Sequence, residues 1–294
     1  MAPLTALLRD RQTHVMSILN LTPDSFSDGG MHSALDMESL KQTVQAHIDS
    51  GATIIDVGGQ STRPKAEDVG DVEEIRRVVP AIRMIHDMIQ GQNLQDRVAI
   101  SVDTFRASVA RAAVDAGADI VNDVSAGTLD PAMLDAVAEL GCSVILMHMR
   151  GDPSNMTSKQ HTSYPDGLLE TIGRELGARV AAAEAAGIRR WRIMLDPGVG
   201  FAKTGEQNLQ ILRSFSQLRE QSQLQGLPWV VGTSRKKFLG TISGVSTPRE
   251  RVWGTAAAVS AAIQGGADVI RVHDVQEMAQ LAKVADAIWR RESA

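Results

Sequence analysis

Short apolar runs recur along the chain, and each run ends in polar side chains. The first run, "HVMSILN", ends at Asn20, and the apolar part of the sixth, "RIMLDPG", ends at Asp196. The eight runs occupy residues 14–20, 53–59, 98–104, 119–124, 143–149, 192–198, 229–236 and 268–274. Runs that are apolar at nearly every position are typical of parallel strands covered on both faces. The pattern therefore predicts eight buried, parallel strands.

Segments with helical spacing separate these runs. Leu40, Val44 and Ile48 recur at four-residue intervals between the first two runs, which is the spacing of one helix face. Thr247 and Glu250 form a capping-box pattern, which predicts the start of a later helix. The chain therefore alternates between predicted strands and predicted helices.

This repeated order predicts the fold. Eight strand–helix units without a visible linker are typical of a (β/α)8 TIM barrel, a fold of the α/β class. We predict one barrel domain over residues 14–294 and an N-terminal extension over residues 1–13. A doubly wound open sheet is the alternative, but the count of eight favours a closed barrel.

The polar ends of the strands predict where chemistry takes place. In such barrels the C-terminal ends of the strands form one open face, and active sites are built there. One set of ends carries carboxylates and an amide, which suit a planar heterocycle with N–H donors: Asp103, Asn122 and Asp196. A second set is cationic or can become so, which suits phosphate oxygens: Arg63, Lys236, Arg271 and His273. Together they predict a site for a heterocycle joined to a phosphorylated group.

Composition narrows the classes of partner. The 294-residue chain is 43% hydrophobic with a net charge of −5, and it has no basic stripe, so we expect no nucleic-acid partner. No apolar run is long enough to span a bilayer, and "MAPLTALLRDRQTH" lacks the apolar region of a secretory signal. We therefore expect no membrane partner and a cytoplasmic location, or an organellar one if the source is eukaryotic. The single cysteine, Cys142, fits a reducing compartment.

Several familiar motifs are absent from the sequence. The segment "GVGFAKTG" lacks the spacing of a nucleotide-binding P-loop, and "GTSRK" is not the nucleophile elbow of a hydrolase. No group of Cys and His has zinc-ligand spacing. His148 is better interpreted as a hydrogen-bonded histidine at a strand end than as a metal ligand.

Eight segments, in order, resemble the dihydropteroate synthase family over nearly the whole chain. They are "ILNLTPDSFSDGG" (18–30), "IIDVGGQSTRP" (54–64), "ISVDT" (100–104), "IVND" (120–123), "LMHM" (146–149), "LDPGVGF" (195–201), "GTSRK" (232–236) and "IRVHD" (270–274). The first two are the most specific. The resemblance implies a (β/α)8 barrel, in agreement with the fold predicted from the residues.

The resemblance also implies a reaction. The family condenses 6-hydroxymethyl-7,8-dihydropterin pyrophosphate with p-aminobenzoate, giving 7,8-dihydropteroate and pyrophosphate in folate biosynthesis, by a dissociative displacement. The residues implied to contact the pterin are Asp103, Asn122, Met147, Asp196, Lys236 and Arg271. Catalytic roles are implied for Asp28, Arg63, Asp103 and Lys236.

The second substrate and the leaving group have their own implied residues. Those for p-aminobenzoate are Phe26, Thr62, Pro64 and Phe201. Those for pyrophosphate are Asn20, Arg63, Arg271 and His273, and Asn20 is also implied to bind the cofactor Mg2+. Loops 24–30 and 61–65 are implied to close over the site. The family is usually homodimeric through its late helices, and sulfonamides mimic its p-aminobenzoate substrate.

The sequence departs from the family pattern at four positions near the second substrate. They are Gln60, Lys65, Val199 and Lys237, where members often have glutamate, glycine, phenylalanine and serine. None of these is an implied pterin residue, so they leave open p-aminobenzoate affinity and sulfonamide sensitivity. Two other functions are compatible with a pterin pocket: a pterin-dependent methyltransferase barrel and a non-catalytic pterin-binding module. The intact set of phosphate-binding residues favours the synthase.

Overall fold

The computed structural model describes residues 11–21, 37–61 and 68–290. Eight strands begin within the predicted apolar runs, and all are parallel. They are β1 (His14–Asn20), β2 (Ile54–Gly58), β3 (Ala99–Asp103), β4 (Ile120–Asp123), β5 (Ser143–Met147), β6 (Ile193–Asp196), β7 (Val230–Val231) and β8 (Val269–Val272). The prediction of eight buried parallel strands is therefore confirmed.

The sheet closes into a barrel. Strand β1 pairs with β2 on one side and with β8 on the other, so the first strand lies beside the last, and β6 and β7 are the two ends of the strand order. The remaining seam lies between β6 and β7, where Leu195 and Trp229 form a parallel bridge. The predicted (β/α)8 barrel is therefore confirmed, and the open-sheet alternative is wrong.

Helices surround the barrel. They are α1 (Met37–Asp49), α2 (Gly70–Gly91), α3 (Ala107–Asp115), α4 (Met133–Leu140), α5 (Leu168–Ala185), α6 (Gly205–Arg213), α7 (Phe215–Arg219), α8 (Lys237–Ser243), α9 (Val252–Gln264) and α10 (Val275–Trp289). The predicted capping box at Thr247 is wrong, because a short 3-10 turn precedes α9 and no side-chain cap forms there. A capping box forms instead at Thr204 with Gln207, at the start of α6.

An apolar layer fills the barrel interior and forms the floor of the open face. It takes one side chain from each strand: Met16, Ile54, Ala99, Ile120, Ile145, Met194, Val230 and Val269. Because side chains alternate along a strand, the residue two positions further on lies on the same face and nearer the C-terminal end. That count reaches Asp56, Asn122, Met147, Asp196 and Arg271. The strand period therefore places polar groups directly above an apolar floor.

The first described residues contact the last helix. Arg11 forms an ion pair with Asp268, and Thr13 donates hydrogen bonds from its backbone N–H and its hydroxyl to Asp286 of α10. The N-terminal extension over residues 1–13 stays a prediction, and residues 1–10 lie outside the described residues. Within the described part of the chain, no helix is both long and apolar enough to cross a membrane.

Candidate active site at the C-terminal end of the barrel

Strand register brings the predicted strand-end residues together. Asn20 is paired with Gly58, Gly58 with Asp103, and Asp103 with Asn122 across four neighbouring strands. Gly58 leaves a gap in this row. A Cβ atom there would lie 3.5 Å from Asn20 Oδ1 and 3.8 Å from Asp103 Oδ2. The absence of a side chain at Gly58 therefore lets the polar groups of Asn20 and Asp103 approach the same space.

A buried ion-pair cluster lies at the centre of the site. Arg271 donates through Nε to Asp56 Oδ2 and through Nη2 to Asp103 Oδ2, each over 2.6 Å. Asn122 Nδ2 donates to the same Asp56 oxygen over 3.1 Å. The second carboxylate oxygens, Asp56 Oδ1 and Asp103 Oδ1, are buried without a hydrogen-bond partner. Two acceptors thus remain for N–H groups of a ligand, since a buried acceptor left unpaired is costly.

Burial governs the protonation of Asp103 in this cluster. It raises the pKa of Asp103 to about 7, against the opposing charge of Arg271 and with the support of the neighbouring Asp56 carboxylate. The side chain of Asp56 is completely buried, and that of Asp103 is nearly so. Two carboxylates and one guanidinium therefore share a small desolvated volume, where a ligand's donors or a developing positive charge are favoured.

Asp196 and Lys236 form the opposite part of the site. Asp196 Oδ1 accepts a hydrogen bond of 2.6 Å from the backbone N–H of Gly198, which anchors the carboxylate to the loop after β6. Burial raises the pKa of Asp196, while the charge of Lys236 acts against that increase. Burial lowers the pKa of Lys236 to about 8, and Asp196 partly offsets this effect. Each group therefore stabilises the charged form of the other.

The ammonium group of Lys236 also contacts the loop after β6. It donates to the carbonyl of Val199 and lies 4.8 Å from the centre of the Phe201 ring, a cation–π distance. Lys236 thus joins the predicted pterin residues to Phe201, the one predicted p-aminobenzoate residue that lies in the described chain. The frequent phenylalanine replaced by Val199 would belong to this same loop, where Val199 is fully buried.

Asn20 ends β1 and His273 directly follows β8, so both lie at the C-terminal end of the barrel. His273 Nδ1 lies 3.0 Å from Ser234 Oγ, and its backbone N–H donates to the same oxygen over 3.1 Å. Ser234 therefore fixes the imidazole at the end of β8. Met147 ends β5, where it is paired with Asp196 of β6. The structure thus brings together Asn20, Asp103, Asn122, Met147, Asp196, Lys236, Arg271, His273 and Phe201.

Five predicted site residues and one departure lie outside the described residues. They are Phe26, Asp28, Thr62, Arg63, Pro64 and Lys65. Nearby, Gln60 is buried, and its side-chain Oε1 accepts a 2.9 Å hydrogen bond from the Val69 backbone N–H. Gln60 therefore connects the two described ends that flank residues 62–67. Lys237 begins α8 with its side chain exposed.

Sequence reasoning missed Asp56 as part of the site. Asp56 lies in the middle of β2, so it is not a strand end, yet it is the group shared by Arg271 and Asn122. The available signal was the two-residue period Ile54–Asp56–Gly58, which places an acid on an inward position of an otherwise apolar strand. His148 is hydrogen-bonded on both ring nitrogens, to Glu175 and to Lys203, which supports its predicted role as a satisfied strand-end histidine.

Comparison with known proteins places this chain in a family. A family model described as pterin binding enzyme matches residues 16–273. The folic acid synthesis protein fol1 of Pneumocystis carinii is 49% identical over 278 residues, and the match covers 95% of this chain but only 36% of that protein. The dihydropteroate synthase of Synechocystis sp. is 46% identical over 280 residues, and the match covers 95% of this chain and 91% of that protein.

A solved structure has the same fold over nearly the whole chain. The dihydropteroate synthase of Xanthomonas albilineans with 4-aminobenzoic acid matches with a TM-score of 0.83 and 39% identity, covering 98% of both chains. The likeness is therefore one of overall fold, and it extends over nearly the whole length of both chains.

Proposed function

Since the chain belongs to the dihydropteroate synthases of the pterin binding enzyme family, we propose that it joins 6-hydroxymethyl-7,8-dihydropterin pyrophosphate to p-aminobenzoate. The products are 7,8-dihydropteroate and pyrophosphate, in folate biosynthesis. The observation that carries the proposal is the buried polar cluster above the apolar floor. We place the reaction in the cytoplasm, or in an organelle of a eukaryotic source, as the sequence predicts.

The cluster suits a pterin. The heterocycle presents N–H donors along one edge and a carbonyl beside them. The unpaired oxygens of Asp56 and Asp103, and the carboxylate of Asp196, are acceptors for those donors. Asn122 and Lys236 supply N–H groups for the ring nitrogens and the carbonyl. The apolar side chain of Met147 covers a ring face at the same level.

The charges suit a dissociative displacement. In this route the bond from the exocyclic methylene to the pyrophosphate oxygen breaks first, and its electron pair leaves with pyrophosphate. The carboxylates of Asp56 and Asp103 stabilise the positive charge left on the pterin. The amine of p-aminobenzoate then attacks the methylene carbon and afterwards loses a proton. Arg271 and His273, together with Arg63 outside the described residues, are the cations proposed for the leaving group.

We propose Mg2+ as the cofactor of this step, held by Asn20 and by oxygens of the pyrophosphate. The described residues contain no group of three His, Cys, Asp or Glu side chains that could hold a metal ion. The carboxamide oxygen of Asn20 is a hard donor, and Mg2+ is commonly bound by few protein ligands together with substrate phosphates. The donor set therefore fits a metal that arrives with the substrate and neutralises its charge.

We further propose a homodimer formed through α9 and α10. These helices lie side by side, and they leave large apolar side chains exposed: Trp253, Val284, Ile288 and Trp289. Trp253 is 83% exposed. Light scattering after gel filtration should give twice the chain mass for the wild type, whereas Trp253→Glu should shift the chain towards a monomer. A wild-type monomer would contradict this proposal.

Pyrophosphate release tests the function. The purified chain with the dihydropterin pyrophosphate and Mg2+ should release pyrophosphate only when p-aminobenzoate is present, and dihydropteroate should form in equal amount. Omission of Mg2+ should abolish release. Tight pterin binding without release would favour the non-catalytic module. Transfer of a methyl group from a folate to a corrinoid would favour the methyltransferase.

A further inference from the structure

A closed ring of contacts lies beside the pterin cluster, outside the residues assigned to either substrate. It links the segment after β5, helix α5 and the loop after β6, and its side chains are Lys203, His148, Glu175, Arg150 and Tyr164. We propose that Lys203 is a positioning residue, which fixes the loop of residues 197–203 and thereby places Phe201 for p-aminobenzoate. This inference rests on the proposed function, because it concerns the second substrate of that reaction.

The ammonium group of Lys203 is surrounded by acceptors. Nζ lies 3.0 Å from His148 Nδ1, 3.0 Å from the Phe201 carbonyl oxygen and 3.4 Å from the His148 carbonyl oxygen. The residue is only 9% exposed. An ammonium has three N–H donors and no acceptor, so the protonated form matches these three partners. Lys203 therefore ties the loop after β6 to the end of β5.

The partner His148 is held in one tautomer. Its Nε2 lies 2.8 Å from Glu175 Oε2, and a carboxylate can only accept, so Nε2 carries the hydrogen. Nδ1 is then the acceptor that faces Lys203. Burial, together with the charge of Lys203, lowers the pKa of His148 to about 4, so the ring is neutral at pH 7. Burial also lowers the pKa of Lys203 to about 7, while the charge of Asp196 acts against that decrease, so Lys203 rather than His148 carries the positive charge of the pair below that pH.

The ring closes through the other side chains. Arg150 donates to both carboxylate oxygens of Glu175, over 3.0 Å from Nε to Oε2 and 2.5 Å from Nη2 to Oε1. Its guanidinium lies 4.3 Å from the centre of the Tyr164 ring. The Tyr164 hydroxyl donates over 2.9 Å to the carbonyl of Ala202, the residue before Lys203. Two separate contacts from the segment after β5 thus hold adjacent residues of the loop.

The loop needs such support because its backbone conformation is unusual. Ala202 has a φ of 49°, in the left-handed region that residues with a side chain seldom adopt. Gly198 has a φ of 67° in the same loop. Conformations of this kind persist only where surrounding contacts impose them. Lys203 contacts the backbone carbonyl of Phe201, and Lys236 lies over the Phe201 ring, so loss of the Lys203 contacts would move this ring.

Initial-rate kinetics with both substrates test the inference. Lys203→Met keeps the length of the side chain and removes its three hydrogen bonds. We expect the KM for p-aminobenzoate to rise about 10-fold or more, since displacement of a positioning group by an ångström has large effects. The kcat, and the pterin affinity measured by calorimetry, should stay within about 3-fold, because the variant removes no pterin ligand. Lys159→Met, at an exposed lysine of the segment after β5, is the matched control and should change nothing.

A second variant keeps the test decisive if Lys203→Met does not fold. Tyr164→Phe removes only the hydrogen bond to Ala202, so the KM for p-aminobenzoate should rise about 3-fold with kcat unchanged. Where both variants fold, the KM of the double variant for p-aminobenzoate should rise by less than the product of the two single increases, because both substitutions act on one loop.

The contrary outcomes are distinct. An active wild type with an unchanged KM in the folded variants overturns the positioning role alone. Pterin affinity that falls in proportion to the rise in KM also overturns it, because the ring would then support the whole pocket. A wild type that forms no dihydropteroate overturns the proposed function and this inference with it.

Discussion

The guanidinium of Arg271 on β8 lies 2.6 Å from the carboxylate of Asp56 on β2, with strand β1 between the two strands. The same guanidinium contacts Asp103 on β3, so one cation joins two buried carboxylates. A cation held from both sides keeps a fixed position at the centre of the barrel mouth. It also leaves one oxygen of each carboxylate for a ligand.

Replacement of Asp56 should destabilise the protein. Asp56→Ala leaves Arg271 with Asp103 alone and removes the acceptor for Asn122, and breaking a buried ion pair in this way costs about 3 kcal/mol. Urea denaturation measures the change in the free energy of unfolding. Asp87→Ala, at an exposed carboxylate on α2, is the control and should stay within about 0.5 kcal/mol of wild type. An equally small loss in Asp56→Ala would show that Asp56 does not hold Arg271.

Replacement of Asp196 should weaken pterin binding. Its carboxylate can accept hydrogen bonds from the N–H edge of the heterocycle, and bonds to a charged group contribute about 1.5–3 kcal/mol each. We expect Asp196→Ala to weaken binding by roughly 2–5 kcal/mol. Calorimetry with the pterin substrate measures this loss. Asp135→Ala, at an exposed acid of α4, should bind as the wild type does. Wild-type affinity in Asp196→Ala would remove this residue from the site.

Asp103 should give stability an unusual pH dependence. Its pKa is raised from 3.8 to about 7 in the folded chain, so between these values the folded state binds a proton that the unfolded state has lost. The stability of wild type relative to Asp103→Asn should therefore fall as the pH rises from 4 to 7. One proton gives a slope of at most about 1.4 kcal/mol per pH unit.

The difference in the free energy of unfolding between wild type and Asp103→Asn reports on Asp103 alone, since the other titrating groups are the same in both proteins and largely cancel. Urea denaturation at several pH values provides the data. A difference that stays flat between pH 4 and 7, or that grows in favour of the wild type, would show that Arg271 keeps Asp103 ionised throughout.

Gly198 should tolerate no side chain. Its φ is 67°, and a Cβ atom there would lie 1.9 Å from the carbonyl oxygen of His148. Gly244 is a matched control, because its φ is 74° and no atom lies within 4 Å of the corresponding Cβ position. Gly244→Ala should lower the free energy of unfolding by about 1–2 kcal/mol, which is the cost of placing a residue with a Cβ atom in the left-handed region. Urea denaturation measures this change.

Gly198→Ala has the same backbone cost and also causes a steric collision. We expect the free energy of unfolding to fall by roughly 1–3 kcal/mol more than in Gly244→Ala, because the end of β5 must move. The collision would also disturb Asp196, whose carboxylate is anchored by the Gly198 N–H, so pterin affinity should fall. Equal costs for the two glycine variants would mean that the loop relaxes freely, which the contacts of His148 argue against.

The strand ends could be predicted from the sequence because the pattern that marks them, a short apolar run followed by a polar residue, is local. Asn122 and Asp196 each follow a short apolar run, and the run, its end and the next helix lie within a few residues. The rule that parallel strands of a barrel end on one face then groups them without any coordinates. The capping box is a contrary case. Thr247 and Glu250 have the sequence pattern, but residues Pro248–Glu250 form a 3-10 turn without a side-chain cap. The capping box forms at Thr204 instead.

The sequence by itself determined the alternation of strands and helices, and with it the barrel and the face that carries the site. Periodicity and caps are short-range properties, so they can be read from neighbouring residues. Only the tertiary structure decided which acid pairs with which cation. Arg271 and Asp56 are 215 residues apart, and Lys203 and His148 are 55 apart. Their contacts depend on strand order, register and burial around the closed barrel, which no local pattern encodes.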